Sequence, residues 1–195
     1  MSSSPTTTAP AEAPTAASLM SKAMRDALGY FPTGVTIITA LAPNGERLGA
    51  TVSSFNSVSL DPPLVLFSIA NTAKSFDLWR SVKHYAVSVL HEDQTDISNR
   101  FARAMSDKWE GVMPKAARHT DAPLIPNALC WFECESWAHY DGGDHVIFVG
   151  KVLGLQVRPT TNDRPLTFFR GRYSKLGSPV AEDPGWHDNL WLHGW

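Results

Sequence analysis

Cysteine is scarce in this chain: 195 residues hold two, Cys130 and Cys134. On a strand they point to the same side about 13 Å apart, at roughly 3.3 Å per residue. A disulfide needs Cα atoms within about 7 Å, so the two cannot pair with each other. No quartet of ligands surrounds them, so a zinc site is not expected. Charge is sparse as well. Charged residues make up 18% of the chain and the formal net charge is −2, which leaves no basic field for nucleic acid. No apolar run is long enough to cross a bilayer. The N-terminus lacks a basic-then-apolar leader pattern, so a cytoplasmic location is expected. Catalytic signatures are missing too. No Gly-x-Gly-x-x-Gly follows a strand, and there is no P-loop, nucleophile elbow or His-Glu-x-x-His.

What is present reads as one domain, since 43% of the residues are hydrophobic and the length suits a single core. Residues 1–17 are mostly Ser, Thr, Ala and Pro, a composition that cannot offset ordering entropy; they form an expected disordered tail. An amphipathic helix follows over 18–28, with Leu19, Ala23, Ala27 and Leu28 on one side and Gly29 ending it. Residues 35–40 read as the first strand, and Asn44-Gly45 signals a hairpin into the next. Residues 64–69 form a short apolar strand after Asp61-Pro62-Pro63, which breaks the ladder. A short helix over 76–80, a strand over 85–90 and a second helix over 93–104 come next.

Residues 105–126 are irregular, with Trp109, Pro114 and Pro123 marking a long surface excursion of the kind that often serves as a lid or interface. The strand over 128–139 alternates, with Cys130, Phe132 and Cys134 on one face and Trp131, Glu133, Glu135 and Trp137 on the other. Residues 141–144 turn the chain, 145–157 return it, and 166–169 form a last strand. A Trp-rich extension occupies 178–195. The expected fold is mainly β with helices, a β-barrel spanning 18–177.

One stretch departs from ordinary strand chemistry. Residues 49–60 are rich in small hydroxyl side chains, although β-formers flank them. Strands usually cover a core with bulky branched residues, so this one is either a serine-rich edge segment or a bed that leaves room for a flat ligand. Just beyond, Asn71, Thr72, Lys74 and Ser75 precede a helix start, where unpaired N–H groups and a positive charge favour a phosphate. The same residues also serve as ordinary caps. His145 opens a strand after a Gly-Gly-Asp turn, either as a polar strand end or as a donor to an anionic or carboxamide-bearing substrate. His139, Asp141, Asp144 and His145 could ligate a metal, but the turn needs the same residues, and no metal is expected.

Four motifs in order carry a resemblance: Phe31-Pro32-Thr33-Gly34-Val35-Thr36; the run from Thr51-Val52-Ser53-Ser54-Phe55-Asn56 through Asp61-Pro62-Pro63-Leu64-Val65; Gly143-Asp144-His145; and Pro165-Leu166 through Tyr173. Between Met24 and Tyr173 the chain resembles the short-chain flavin reductase family, NAD(P)H:flavin reductases that supply two-component monooxygenases acting on aromatics. The resemblance implies an FMN-binding split β-barrel working as a homodimer, with FMN or FAD as flavin and NADH or NADPH as co-substrate. It implies that Gly49, Ala50, Thr51, Ser53, Ser54, Ser68, Ile69 and Ala70 hold the isoalloxazine and ribityl chain. The phosphate end falls on Lys74, Ser75, Arg100 and Phe101. His145 takes the catalytic place on the nicotinamide side, with Phe169, Arg170 and Tyr173 nearby. Reduced flavin would leave for a separate monooxygenase. The alternatives are a barrel flavoprotein that keeps its flavin and reduces another acceptor, or a non-catalytic flavin- or haem-binding sensor.

Overall fold

The structure is a computed structural model that describes residues 15–104, 107–159 and 164–177. Most of the expected tail and all of the Trp-rich extension lie outside the described residues. The elements run α1 (Ala16–Leu28), β1 (Thr33–Gly34), β2 (Thr36–Leu41), β3 (Arg47–Val52), β4 (Asn56–Leu60), β5 (Pro63–Ala70), α2 (Phe76–Ser81), β6 (His84–Val89), α3 (Thr95–Ala102), β7 (Cys130–Asp141), β8 (His145–Val157), β9 (Thr167–Phe169) and β10 (Arg172–Ser174). The fold is mainly β with helices, as the strand spacing implied. Helix α1 begins two residues earlier than its apolar pattern suggests. Thr15 sets the start: its Oγ1 accepts from the Ser18 N–H at 3.2 Å.

Seven strands form one antiparallel sheet in the order β3-β2-β6-β7-β8-β5-β4, and β1-β9-β10 form a second. The strands at the two ends of the large sheet, β3 and β4, are consecutive in the chain and joined only by residues 53–55. Laid flat, seven strands about 4.8 Å apart would hold those edges about 29 Å apart. The four Cα steps from Val52 to Asn56 reach about 14 Å at most. The sheet must therefore curl until its edges approach. They do not pair, because the ladder of β3 runs to β2 and that of β4 to β5. The result is a barrel with one open seam, which is the split barrel.

The curl encloses a core of fully buried rings. Phe67 stacks on its register partner Phe148 at 5.3 Å and meets Tyr85 edge-on at 5.0 Å. Each such ring contributes roughly 1.5–3 kcal/mol by leaving water. Alternation sends Ile38 inward to this cluster and Ile37 outward to Leu90, Phe101 and Leu166. Strand β2 thus has two buried faces, and something must cover the outer one.

That need changes the reading of 105–126. The segment is no surface excursion throughout, because Ala122, Leu124 and Ile125 are buried. Ala122 and Leu124 pack on Ala86 and Trp131, outside the barrel wall. Glu133, on the same face of β7 as Trp131, is 0% exposed beneath this cover. Its carboxylate accepts from the backbone N–H groups of Arg118 at 2.9 Å, His119 at 2.6 Å and Thr120 at 3.1 Å, and from Gln156 Nε2 at 2.9 Å. Burial pushes this carboxyl up, but the four donors together outweigh burial and hold it below the ordinary glutamate range. A second correction concerns Asp61-Pro62-Pro63. It does not break a ladder but turns the β4–β5 hairpin, with Leu60 opposite Pro63.

Both cysteines are free, and burial, with the Glu133 charge beside it, pushes the Cys134 thiol up to about 12. No helix among the described residues is long and apolar enough to cross a membrane.

Candidate functional site

The seam opens into a cleft of about 1560 Å³. One wall is β3 and the turn after it, and the opposite wall is the end of β5 with the start of α2. The last turn of α3, the segment 107–109 and the β7–β8 turn close the ends. Of the residues expected at a flavin, Gly49, Ala50, Thr51, Ser53, Ser54, Ser68, Ile69, Ala70, Lys74, Ser75, Phe101 and His145 all line this cleft. Arg100, Phe169, Arg170 and Tyr173 do not.

Sequence chemistry sorts the hydroxyls once their partners are known. Thr51 Oγ1 donates to the Ser98 carbonyl at 2.7 Å, tying β3 to α3. Ser54 Oγ accepts from the Ser68 N–H at 3.0 Å, bridging the seam where the edges come close. Ser53 is exposed on the cleft, and Ser75 sits at the N-cap of α2 without a side-chain capping bond. Both hydroxyls, like that of Ser68, line the cleft. Gly49 is small for another reason: a Cβ there would stand 2.4 Å from the buried Phe101 ring. The glycine lets α3 close against the strand.

His145 is planted by the turn before it. Gly143 takes φ +81°, which L side chains rarely adopt. The turn is locked to the α2 side by Asn71, whose N–H donates to the Asp144 carbonyl and whose Nδ2 donates to the Gly143 carbonyl, each at 2.9 Å. His145 pairs with Ala70 across the β5–β8 ladder, so it sits beside the end of the small-residue wall. Its Nδ1 lies 2.7 Å from Asp144 Oδ1, an interaction that holds the Asp144 carboxyl below its usual value. With Nδ1 engaged, Nε2 is the nitrogen left for a ligand.

The other expected residues lie outside the cleft lining. Arg100 is exposed and its guanidinium donates to the Glu110 carbonyl. Arg170 N–H donates to the Gly29 carbonyl at 2.9 Å, and its guanidinium lies 4.7 Å from the Tyr30 ring centre. Tyr173 Oη lies 2.9 Å from Ser98 Oγ and 3.2 Å from Asn99 Oδ1, bracing α3 from behind. Phe169 stands exposed at the end of β9.

Lys108 and Trp109 are cleft residues that pattern reading missed. Lys108 Nζ donates to the Gly49 carbonyl at 2.7 Å and the Phe101 carbonyl at 2.9 Å. Burial holds this ammonium below the usual lysine range. Trp109 Nε1 donates to the Arg47 carbonyl at 3.0 Å, and its ring meets Phe101 edge-on at 5.0 Å. The hint in the sequence was a cation directly beside an aromatic, Lys108-Trp109, in an otherwise irregular stretch.

Known proteins share this fold. The chain is 42% identical over 160 residues to FMN reductase (NADH) SmoA of Agrobacterium fabrum, covering 80% of this chain and 86% of that one. It is 39% identical over 152 residues to the stachydrine N-demethylase reductase subunit Stc3 of Rhizobium meliloti, covering 78% and 64%. Several curated relatives are longer, and the chain spans between about half and two thirds of their length. Among solved structures, the NADH:FAD oxidoreductase SgcE6 of Streptomyces globisporus, in complex with NAD and FAD fragments, superposes with a TM-score of 0.74 at 35% identity, covering 82% and 93%. Residues 28–177 match the flavin reductase like domain, so most of the described barrel, seam and cleft included, falls within the match, and the chain belongs to that family.

Proposed function

We propose that the protein is a flavin reductase: it oxidises NADH or NADPH, reduces FMN or FAD, and releases the reduced flavin to a separate monooxygenase. The observation that carries this reading is the seam itself, a cleft walled by small residues, with hydroxyls on both walls and His145 at its end. The residues present fit a flavin. A flat ring needs a wall without bulky side chains, which Ala50, Ser53, Ser68 and Ala70 provide. A phosphorylated side chain needs donors and positive charge, which Ser75 and Lys74 provide.

The flavin, when bound, supplies the redox chemistry by accepting the hydride that a reduced nicotinamide gives up. The protein's part is placement. Ser53 and the exposed backbone of 53–54 can hydrogen-bond the polar edge of a ring, and Ile69 offers apolar contact. His145, held by Asp144 and the Asn71 lock, directs Nε2 toward the end of the wall, where a nicotinamide carboxamide or phosphate would meet it. No acid–base pair is required, because proximity and orientation account for much of such a step.

Homologues named as reductase components of two-component monooxygenases support the partner, as in trigonelline monooxygenase of Acinetobacter baylyi. A homodimer fits the apolar surface left open at the end of β8, where Leu153, Leu155 and Val157 are exposed. Two free cysteines suit a reducing cytoplasm.

The test is to follow NADH and NADPH absorbance with purified protein, alone and with FMN, FAD or riboflavin. Flavin-stimulated oxidation is expected; its absence refutes the assignment. Protein that stays yellow through gel filtration and oxidises NADH without added flavin favours an enzyme that keeps its flavin. His145→Ala is expected to raise the KM for NADH more than it weakens flavin binding, and unchanged NADH kinetics would remove His145 from the site.

A further inference from the structure

We propose that Asn71 is a positioning residue for His145, a tie that sets where the imidazole stands relative to the small-residue wall and so governs how well a nicotinamide binds; the proposal rests on the reductase reading above. In the sequence Asn71 belongs with the polar residues before α2, where a phosphate is expected. The structure turns it the other way. Its N–H donates to the Asp144 carbonyl and its Nδ2 to the Gly143 carbonyl, each at 2.9 Å. Asn71 is exposed and does not line the cleft, whereas Ala70 before it and Gly142 and His145 of the turn do. Its influence on a ligand must therefore pass through the residues it holds.

The turn needs such a tie. Gly142 and Gly143 lie within it, and glycine loses more conformational freedom than any other residue when it is fixed. The Gly142 N–H donates to the His145 carbonyl and the Gly143 N–H to Asp141 Oδ1, both at 2.9 Å. Those bonds close the loop on itself without setting it against the wall. Asp144, which engages Nδ1 of the imidazole, is 92% exposed, and so open a pair fixes little on its own.

The β5–β8 ladder ends at the Ala70–His145 pair, and Asn71 is the residue that follows Ala70. By bonding the carbonyls of both residues that precede His145, it carries the alignment of β5 past the last ladder pair and into the turn. Asparagine suits this place, because its amide N–H on a one-carbon stem works beside its own backbone N–H, and one residue thus meets two successive carbonyls. Hydride transfer depends on close alignment of the two rings, so small displacements of a group that orients the donor matter.

The competing account is a turn lock that contributes stability alone. A double-mutant cycle with His145 separates the two. NADH oxidation at saturating FMN gives kcat and KM, quenching of flavin fluorescence gives FMN affinity, and thermal melts give stability. Asn71→Ala deletes the Nδ2 bond and keeps the backbone one. It should raise the KM for NADH about three- to tenfold, as loss of one hydrogen bond does, while kcat and FMN affinity stay within about twofold. In the His145→Ala background the same change should add less than about twofold, because the group it positions is gone. Asn71→Gln, which keeps the amide on a longer stem, should recover most of the loss. Asn71→Ser, whose side chain is one atom shorter, serves in the same cycle if the alanine variant folds poorly.

An Asn71 change that multiplies the KM of His145→Ala by the same factor as that of wild type would overturn the proposal. Equal weakening of FMN and NADH that tracks a lowered Tm would overturn it too and leave a turn lock. So would NADH kinetics left unaltered by His145→Ala. Wild type that oxidises no NADH with FMN or FAD present refutes the reductase reading itself, an outcome distinct from all three.

Discussion

Replacing Gly49 with alanine tests whether the cleft wall and α3 are one packed unit. The added Cβ would stand 2.4 Å from Cδ1 and Cε1 of Phe101, where ordinary contact begins at 3.4 Å. The ring must therefore retreat by about 1 Å, the difference between those distances. Phe101 is 1% exposed and is closed in by Trp109, whose own indole is tied to the Arg47 carbonyl. Overpacking of this kind costs roughly 1–3 kcal/mol. For a chain of this size each kcal/mol moves the midpoint by roughly 2–4 °C, so Tm should fall by about 2–12 °C.

Thermal melts and urea titrations give the stability, and flavin fluorescence gives the affinity, which should fall with it because Phe101 is itself a cleft residue. Phe101→Leu shortens the obstructing ring. The Gly49→Ala/Phe101→Leu pair should therefore lose less stability than the sum of the single changes, a coupling that a double-mutant cycle measures. A Gly49→Ala protein with Tm within about 1 °C of wild type and unaltered flavin affinity would refute this packing argument.

Two further outcomes follow from the buried polar groups. Glu133→Gln replaces an acceptor oxygen that faces backbone N–H groups with a donor; it should destabilise the protein by roughly 2–3 kcal/mol in urea titrations, and no loss would show that the 118–120 cover is not held by this carboxylate. The native carboxyl is depressed below its unfolded value. Its contribution is thus fully present above the unfolded pKa of about 4.3 and is lost as pH falls through the folded value. Hydrogen exchange at Arg118, His119 and Thr120 should accelerate in acid before the barrel strands open. Tyr85 Oη is buried with no hydrogen-bond partner among the described residues, and burial pushes its phenol far above the usual range. Removing the hydroxyl in Tyr85→Phe should leave stability unchanged or raise it by about 1 kcal/mol; a loss larger than that would reveal a bonding partner for the hydroxyl.

Much of this fold was legible because local chemistry and tertiary need agree. Asn44-Gly45 and Gly142-Gly143 mark their turns through glycines at φ +84° and +81°, and the long strands β7 and β8 follow from alternation. The β9–β10 hairpin was not legible. Its turn puts Arg170 at φ +48° and Gly171 at φ +75°, a pair of left-handed residues for which Asn-Gly is the usual signal and Arg-Gly is not. Alternation put Glu133 on the right face, with Trp131, but period-2 reasoning cannot foresee that a distant segment covers that face and meets the carboxylate with N–H donors. At the site, the small-residue wall was visible as composition. That Phe101 lines the cleft while Arg100 does not was not legible, because the two are adjacent on one helix and successive side chains there are about 100° apart.

The site owes its existence to a pairing that the sheet does not make. Were β3 and β4 to join their edges, the barrel would close and the cleft would vanish. Left open, an edge exposes carbonyls and N–H groups that invite other strands. The chain meets that hazard on β3 with side chains. The carbonyls of Arg47 and Gly49 take Trp109 Nε1 and Lys108 Nζ, and the Thr51 hydroxyl reaches the Ser98 carbonyl. Residues 47 and 49 are spaced by two, so their carbonyls point to the same edge, while the Thr51 side chain leaves the sheet face to tie α3 down. Side chains and a helix thus do on that edge what a neighbouring strand would have done, yet without filling the seam. The short hydroxyl residues of 53–54 then have a physical reason beyond ligand contact. They must pass from one edge to the other in a few residues, bridge it once through Ser54, and leave the rest of the gap wide enough for a flat molecule.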